Sequence, residues 1–177
     1  MSYLESALAF DASDNPVEAA NAYEEAIKQE DVGLDAFMNL AVLYFECTDP
    51  GYFCAKKLDQ EFINRASAGM FRVLEQSYTR FGHQPEALFW KLYFDWFSKF
   101  ADPRYDDCRQ LAKATPVACL HLLGEPDGKA YCEPGLTVPQ AEALLQAVKS
   151  RKTVRERYID SVVRSWLNIA RHSGRPL

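Results

Sequence analysis

The residues best suited to chemistry lie between positions 119 and 132. Cys119 and His121 are separated by one residue, and Cys132 follows eleven residues later. Thiolates and imidazoles are zinc ligands, and a thiol beside a base can act as a nucleophile. Zinc sites usually have a fourth ligand and closer pairs, and residues two apart on a helix point to different faces. We therefore predict no metal site and no catalytic residue, and keep a metal- or thiol-dependent helical enzyme using Cys119, His121 and Cys132 as an alternative.

Two other segments contain residue types that can do chemistry. The segment from Gly124 to Gly128 contains a proline and is not followed by Lys-Ser or Lys-Thr, so it does not resemble a phosphate-binding loop. Asp95 lies four residues after Lys91 and four before Lys99, a spacing that favours ordinary ion pairs on a helix surface. These patterns predict no cofactor.

Charge is distributed unevenly along the 177 residues, whose net charge is −5. Residues 1–60 carry 12 acidic and 3 basic side chains, whereas residues 149–177 carry 2 acidic and 8 basic ones. The basic end leaves nucleic-acid binding through the last helix as a second alternative. Its basic residues alternate at helical spacing with Tyr158, Val162 and Trp166, which favours a helix packed on a core. The isoelectric point near 5.3 also argues against a dedicated nucleic-acid binder.

The cysteine pattern and the first residues favour a reducing compartment. The five cysteines include no Cys-x-x-Cys pair, and the start Met-Ser-Tyr-Leu-Glu-Ser has neither a basic lead nor a long apolar run. No window approaches 18 consecutive apolar residues. We expect a cytoplasmic protein with free thiols and no membrane partner.

The hydrophobic pattern is helical throughout. Asn15-Pro16 and Thr153-x-x-Glu156 are helix-start signals, while Thr48-Asp49-Pro50-Gly51 predicts a turn. No segment keeps the alternation of a strand, so the sequence predicts an all-α fold with eight or nine helices. The helices are expected to begin near residues 3, 16, 34, 61, 86, 102, 116, 138 and 153.

An aromatic and small-residue pattern recurs after 34 residues. Two aromatic positions with a small residue between them imply two helices that approach closely at the small residue. The equivalent pairs are Tyr3 and Phe37, Ala7 and Ala41, and Phe10 and Tyr44.

In this pattern the chain resembles the tetratricopeptide repeat family. The first helix of that family reads Trp-x-x-Leu-Gly-x-x-Tyr, and its second carries alanines around an aromatic residue. Residues 37–44 match the first helix, and residues 18–27 match the second. The resemblance implies a right-handed superhelix of antiparallel helix pairs over residues 1–115. Residues 116–177 would form a C-terminal helical extension on the same core of a single compact domain, and the last helix would cap it.

The resemblance also implies a concave groove lined by the first helix of each repeat. We expect a non-catalytic adaptor or chaperone that binds a peptide or helix of a protein partner in this groove. The apolar stripe of the last helix could equally seal a homodimer, and the groove residues could instead be plain packing residues. The predicted partner-binding residues are Met38, Asn39, Val42, Phe45, Lys91 and Asp95.

Overall fold

The computed structural model describes residues 1–99, 101, 104–124 and 138–172. Within these ranges every regular element is a helix and no strand occurs, as the sequence predicts. None of their helices is long and apolar enough to cross a membrane. The helices in these ranges are α1 (Tyr3–Ala12), α2 (Pro16–Ala26), α3 (Leu34–Glu46), α4 (Pro50–Lys56), α5 (Gln60–Phe81), α6 (Pro85–Lys99), α7 (Tyr105–Leu111), a 3₁₀ helix (Pro116–Gly124), α8 (Val138–Ala147) and α9 (Val154–His172).

The turn predicted at residues 48–51 is present at its first two residues, and its last two begin a helix. Thr48 and Asp49 lie in the turn that follows α3, and Asp49 is also the N-cap of α4, where its carboxylate accepts the backbone N–H of Tyr52 at 3.0 Å. Pro50 takes the first helical position, where its fixed φ suits the helix and its missing N–H is not needed. The Asp-Pro pair thus starts a helix. The predicted helix start at residues 102–103 and the capping residue Thr137 lie outside the described residues.

The chain divides into two compact units. Unit 1 consists of residues 1–82 and 151–156, and unit 2 consists of residues 83–150 and 157–177. The division predicted between residues 115 and 116 lies inside unit 2. α9 begins in unit 1, since its first three residues belong there.

Small residues allow the helices of unit 1 to pack closely. α1 packs on α2, α2 on α3, and α3 on α5. Ala7 and Ala41, which the recurring pattern places at close helix approaches, are both fully buried. A Cβ atom added at Gly69 of α5 would lie 2.7 Å from the ring of Tyr44 of α3, so only glycine fits there. The helices of unit 1 are therefore tightly fitted where these small residues meet their neighbours.

Large aromatic residues fill the core of unit 2. α6 packs on α7 and on the 3₁₀ helix, which also contacts α8. Phe89, Trp90 and Phe94 of α6 are fully buried, and the rings of Trp90 and Phe94 stack with centroids 5.5 Å apart. Burying three such rings removes several hundred Å² of apolar surface from water. These side chains dominate the stability of this unit.

Candidate functional site

A buried carboxylate lies at the centre of the candidate site in unit 1. Asp11, in the last turn of α1, is only 1% exposed. Its Oδ2 accepts a hydrogen bond from the hydroxyl of Tyr23 at 3.1 Å, and its Oδ1 accepts one from the backbone N–H of Val154 at 2.8 Å. A buried carboxylate is tolerated only when such donors replace its water. The two oxygens of the buried Asp11 carboxylate therefore receive their donors from α2 and from the start of α9.

Tyr23 remains a neutral donor to this carboxylate. Burial raises the pKa of Tyr23 well above its ordinary value, and the Asp11 charge raises it further. A hydrogen bond with Asn39 and the nearby Arg155 charge act in the opposite direction without cancelling the increase. At neutral pH the Tyr23 hydroxyl thus keeps the proton that it donates to Asp11.

The start of α9 has its own capping arrangement, as the Thr153-x-x-Glu156 pattern predicts. The Thr153 hydroxyl accepts the backbone N–H of Glu156 at 3.2 Å, and the Glu156 carboxylate accepts the N–H of Thr153 at 3.1 Å. This capping box leaves the N–H of Val154, the first helical residue, to find another acceptor. Asp11 of α1 supplies it. The first turn of α9 is thus completed by a residue 143 positions away.

An ion pair fixes the next residue of α9. Arg155 Nη2 lies 2.6 Å from Asp35 Oδ1 in the first turn of α3. The Arg155 side chain is 15% exposed, whereas that of Asp35 is 80% exposed, so the guanidinium is covered and the carboxylate lies at the rim. Val154 itself is 2% exposed. Residues 151–156 therefore form a bound segment on unit 1, held by α1 and α3.

Four of the six predicted partner-binding residues belong to unit 1. Met38 and Val42 are fully buried, Asn39 is 3% exposed, and Phe45 is half-buried. This part of α3 is covered on all sides, since every residue from Ala36 to Tyr44 is buried. In this conformation Met38 and Val42 offer no surface to a partner. Among the described residues, Asn39 Oδ1 has no hydrogen-bond partner.

The other two predicted residues, Lys91 and Asp95, belong to unit 2. Lys91 Nζ lies 2.9 Å from Asp95 Oδ2, and Lys99 Nζ lies 2.6 Å from Asp95 Oδ1, which confirms the predicted ion pairs. Partial burial opposes ionisation of Asp95, but the hydrogen bonds from Lys99 and Lys91 outweigh it and lower its pKa. These charges satisfy one another along α6.

Three thiols are buried and protonated. Burial raises the pKa of Cys47 to about 12, with further contributions from Glu46 and Asp11. Burial also raises the pKa of Cys108, to about 11, and that of Cys119. Since the thiolate is the nucleophile and the metal ligand, these cysteines are weak candidates for either role at neutral pH. Cys132 and the side chain of His121 lie outside the described part of the chain. The described part contains no cluster of three or more metal-ligating side chains.

A second surface of unit 1 is a groove of about 660 Å³ bordered by α2, α3 and α5. Ile27 and Phe37 contribute apolar surface, and Arg72 at one side pairs with Glu24 at 2.9 Å. Arg80 donates hydrogen bonds to the backbone oxygens of Gln29 and Glu30 just after α2. The charges around this groove are thus largely used in holding α5 to α2.

Sequence reasoning missed Asp11, Tyr23, Asp35 and the docked segment. The available signal was Asp11 itself, which lies four residues after the buried Ala7 and so falls on the apolar side of its helix. A carboxylate in such a place requires a buried donor. Comparison of the chain with protein-family models, curated proteins and solved structures found no match.

Proposed function

We propose that unit 1 is a non-catalytic interaction module that binds a helical segment of a protein partner on the face formed by α1 and α3. The observation that carries the proposal is the docked segment of residues 151–156. A surface that holds six residues through a buried carboxylate and an ion pair has the chemistry for a peptide of the same kind. The helix-pair order of unit 1, with α4 inserted before α5, also fits a tetratricopeptide-like adaptor.

The binding energy of such a face would come from few groups. Asp11 and Tyr23 are fixed before any ligand arrives, because they belong to the packed pair of α1 and α2. Preorganised groups lose little conformational freedom on binding. Asp35 adds a charge at the rim, where it affects selectivity and association rate more than affinity.

Selection from a library of helical peptides displayed on phage tests the proposal, with the full chain as bait. We expect enriched peptides that bind saturably, and whose affinity for the Arg155→Ala chain, which has already lost its own ion pair to Asp35, falls when Asp35→Arg is added. The matched control is Glu61→Arg, because Glu61 is also an exposed acidic residue in a first helical turn, that of α5. Failure to enrich any peptide, or equal binding by the Arg155→Ala chain with and without each of these two substitutions, contradicts the proposal.

A further inference from the structure

We infer that the face of α1 and α3 is a receptor for a helix start that offers a free N–H at its first position and an arginine at its second, and that residues 151–156 are its built-in competitor. This inference rests on the proposed function and names the chemistry of the partner. The occupant is a helical segment of another protein whose first turn follows the Thr-Val-Arg-Glu pattern of residues 153–156.

The N–H at the first helical position is the group recognised by the buried carboxylate. In α9 this N–H belongs to Val154 and lies 2.8 Å from Asp11 Oδ1. A capping box satisfies the donor of the third position but not that of the first, so a capped helix still carries this donor free. Asp11 can therefore recognise a helix start by its backbone, whatever follows in the sequence.

The side chains of the first two helical positions add selectivity. Val154 is buried in unit 1, so the first position requires an aliphatic residue of moderate size. Arg155 meets Asp35 at 2.6 Å and remains mostly covered, which a lysine or an acidic residue would not reproduce. The partner is thus defined by three features: a first-position N–H, an aliphatic first residue and an arginine after it.

The segment in the chain competes with any such partner. A partner binds only the fraction of molecules in which residues 151–156 have left the face, and its apparent affinity falls by that fraction. Loosening the segment must therefore strengthen binding of an added helix. Proline at position 154 removes the N–H while suiting the first position of a helix, and the residue before it, Thr153, is the N-cap, a position whose backbone is ordinarily extended.

The experiment measures binding of a fluorescent peptide of residues 149–168 to the full chain by fluorescence anisotropy. We expect the Val154→Pro chain to bind the peptide at least about tenfold more tightly than the unaltered chain, since its own segment can no longer bond to Asp11. Circular dichroism verifies that the variant is folded. The Arg155→Glu chain, which keeps the N–H and loses the ion pair, is a second loosened receptor.

Peptide variants separate the recognised groups. A Val154→Pro peptide should lose at least about tenfold in affinity, because it leaves the buried carboxylate without its donor, whereas a Val154→Ala peptide keeps the N–H and should lose less. An Arg155→Glu peptide should lose about two- to fivefold and recover on an Asp35→Arg chain. An unrelated Ala-Lys-Glu helix that begins Ser-Ile-Arg-Glu should bind like the natural peptide.

Three outcomes overturn the inference: no saturable binding to either loosened chain, equal affinity of the Val154→Pro and unaltered peptides, or dimers of a loosened chain that the peptide does not dissociate. The last would identify a second copy as the occupant. If the phage selection yields ligands of this face without the helix-start pattern, the proposed function stands and this inference fails. If neither the selection nor the peptide gives binding, both fail.

Discussion

The two units differ in the kind of buried contact on which they rely. Unit 1 buries a hydrogen-bonded polar pair, Asp11 and Tyr23, among its apolar side chains, whereas α6 of unit 2 buries three large rings within six residues. Ring burial yields much stabilisation with little directionality, while a buried carboxylate accepts only correctly placed donors. The difference teaches that the directional contacts of the candidate site come from the Asp11 and Tyr23 pair of unit 1 and not from the packing of rings.

The largest expected effect is the loss of an aromatic residue from unit 2. Trp90 is fully buried and lies against Phe89, Tyr93, Phe94 and Tyr158. Trp90→Ala should lower the free energy of unfolding by about 3–5 kcal/mol through lost burial and the cavity left behind. Chemical denaturation measures this. Phe97→Ala, at a residue 49% exposed, should cost less than about 1 kcal/mol, and equal costs would contradict the proposed core.

The second-largest loss in the free energy of unfolding should come from removing the buried carboxylate of unit 1. Asp11→Ala leaves the Tyr23 hydroxyl and the Val154 N–H without their acceptor, at about 1–3 kcal/mol for each buried group. Hydrogen exchange should show faster exchange of the Val154 amide. The control Asp35→Ala removes an exposed carboxylate and should cost less than about 1 kcal/mol. Unchanged exchange at Val154 would show that Asp11 does not hold the segment.

Adding a methyl group at the tight contact between α3 and α5 of unit 1 should lower the free energy of unfolding by a smaller amount. The Cβ of Gly69→Ala would lie 2.7 Å from the Tyr44 ring, which is buried and whose hydroxyl is bonded to Glu24 at 2.5 Å. Overpacking costs about 1–3 kcal/mol, and the better helix propensity of alanine returns about 1 kcal/mol. We expect a net loss of about 1–2 kcal/mol in thermal or chemical unfolding. The exposed neighbour Ser67→Ala should be neutral or slightly stabilising.

The smallest expected effect is a pH dependence in unit 2. Because the pKa of Asp95 is lowered in the folded protein, its ion pairs stabilise the fold above the unfolded value near 3.9. This stabilisation is lost as pH falls through the lower folded pKa. Asp95→Asn should therefore flatten the decline in unfolding temperature below about pH 4 and change little at pH 7. If the unfolding temperature of the variant depended on pH in the same way as that of the unaltered chain, the stabilising role of the ionised Asp95 would be contradicted.

The elements of the fold could be predicted from the sequence because their signals are local. The capping box at Thr153 and Glu156, the helix start at Pro16 and the ion pairs of Asp95 all lie within a few residues. At residues 48–51 the predicted turn holds for Thr48 and Asp49, whereas Pro50 begins α4, because an Asp-Pro pair can belong to a turn or begin a helix.

The candidate site could not be predicted in the same way. Periodicity shows that Met38 and Val42 share a helix with an apolar side, but it does not show how many neighbours cover that helix. The partner of Asp11 lies 143 residues further along the chain, and no local pattern connects the two. Only the tertiary structure reveals that residues 154 and 155 contact Asp11 and Asp35 near the other end of the chain.

The long separation between Asp11 and Val154 also has a consequence during synthesis. Translation at about 5–20 residues per second leaves Asp11 waiting roughly 7–29 s for the ribosome to reach Val154. In that interval α1 to α3 can pair while the acceptor has no competitor from its own chain. A partner present at the ribosome would find the face open, whereas one arriving after release would have to displace residues 151–156. The order of arrival could thus decide which helix the nascent protein carries.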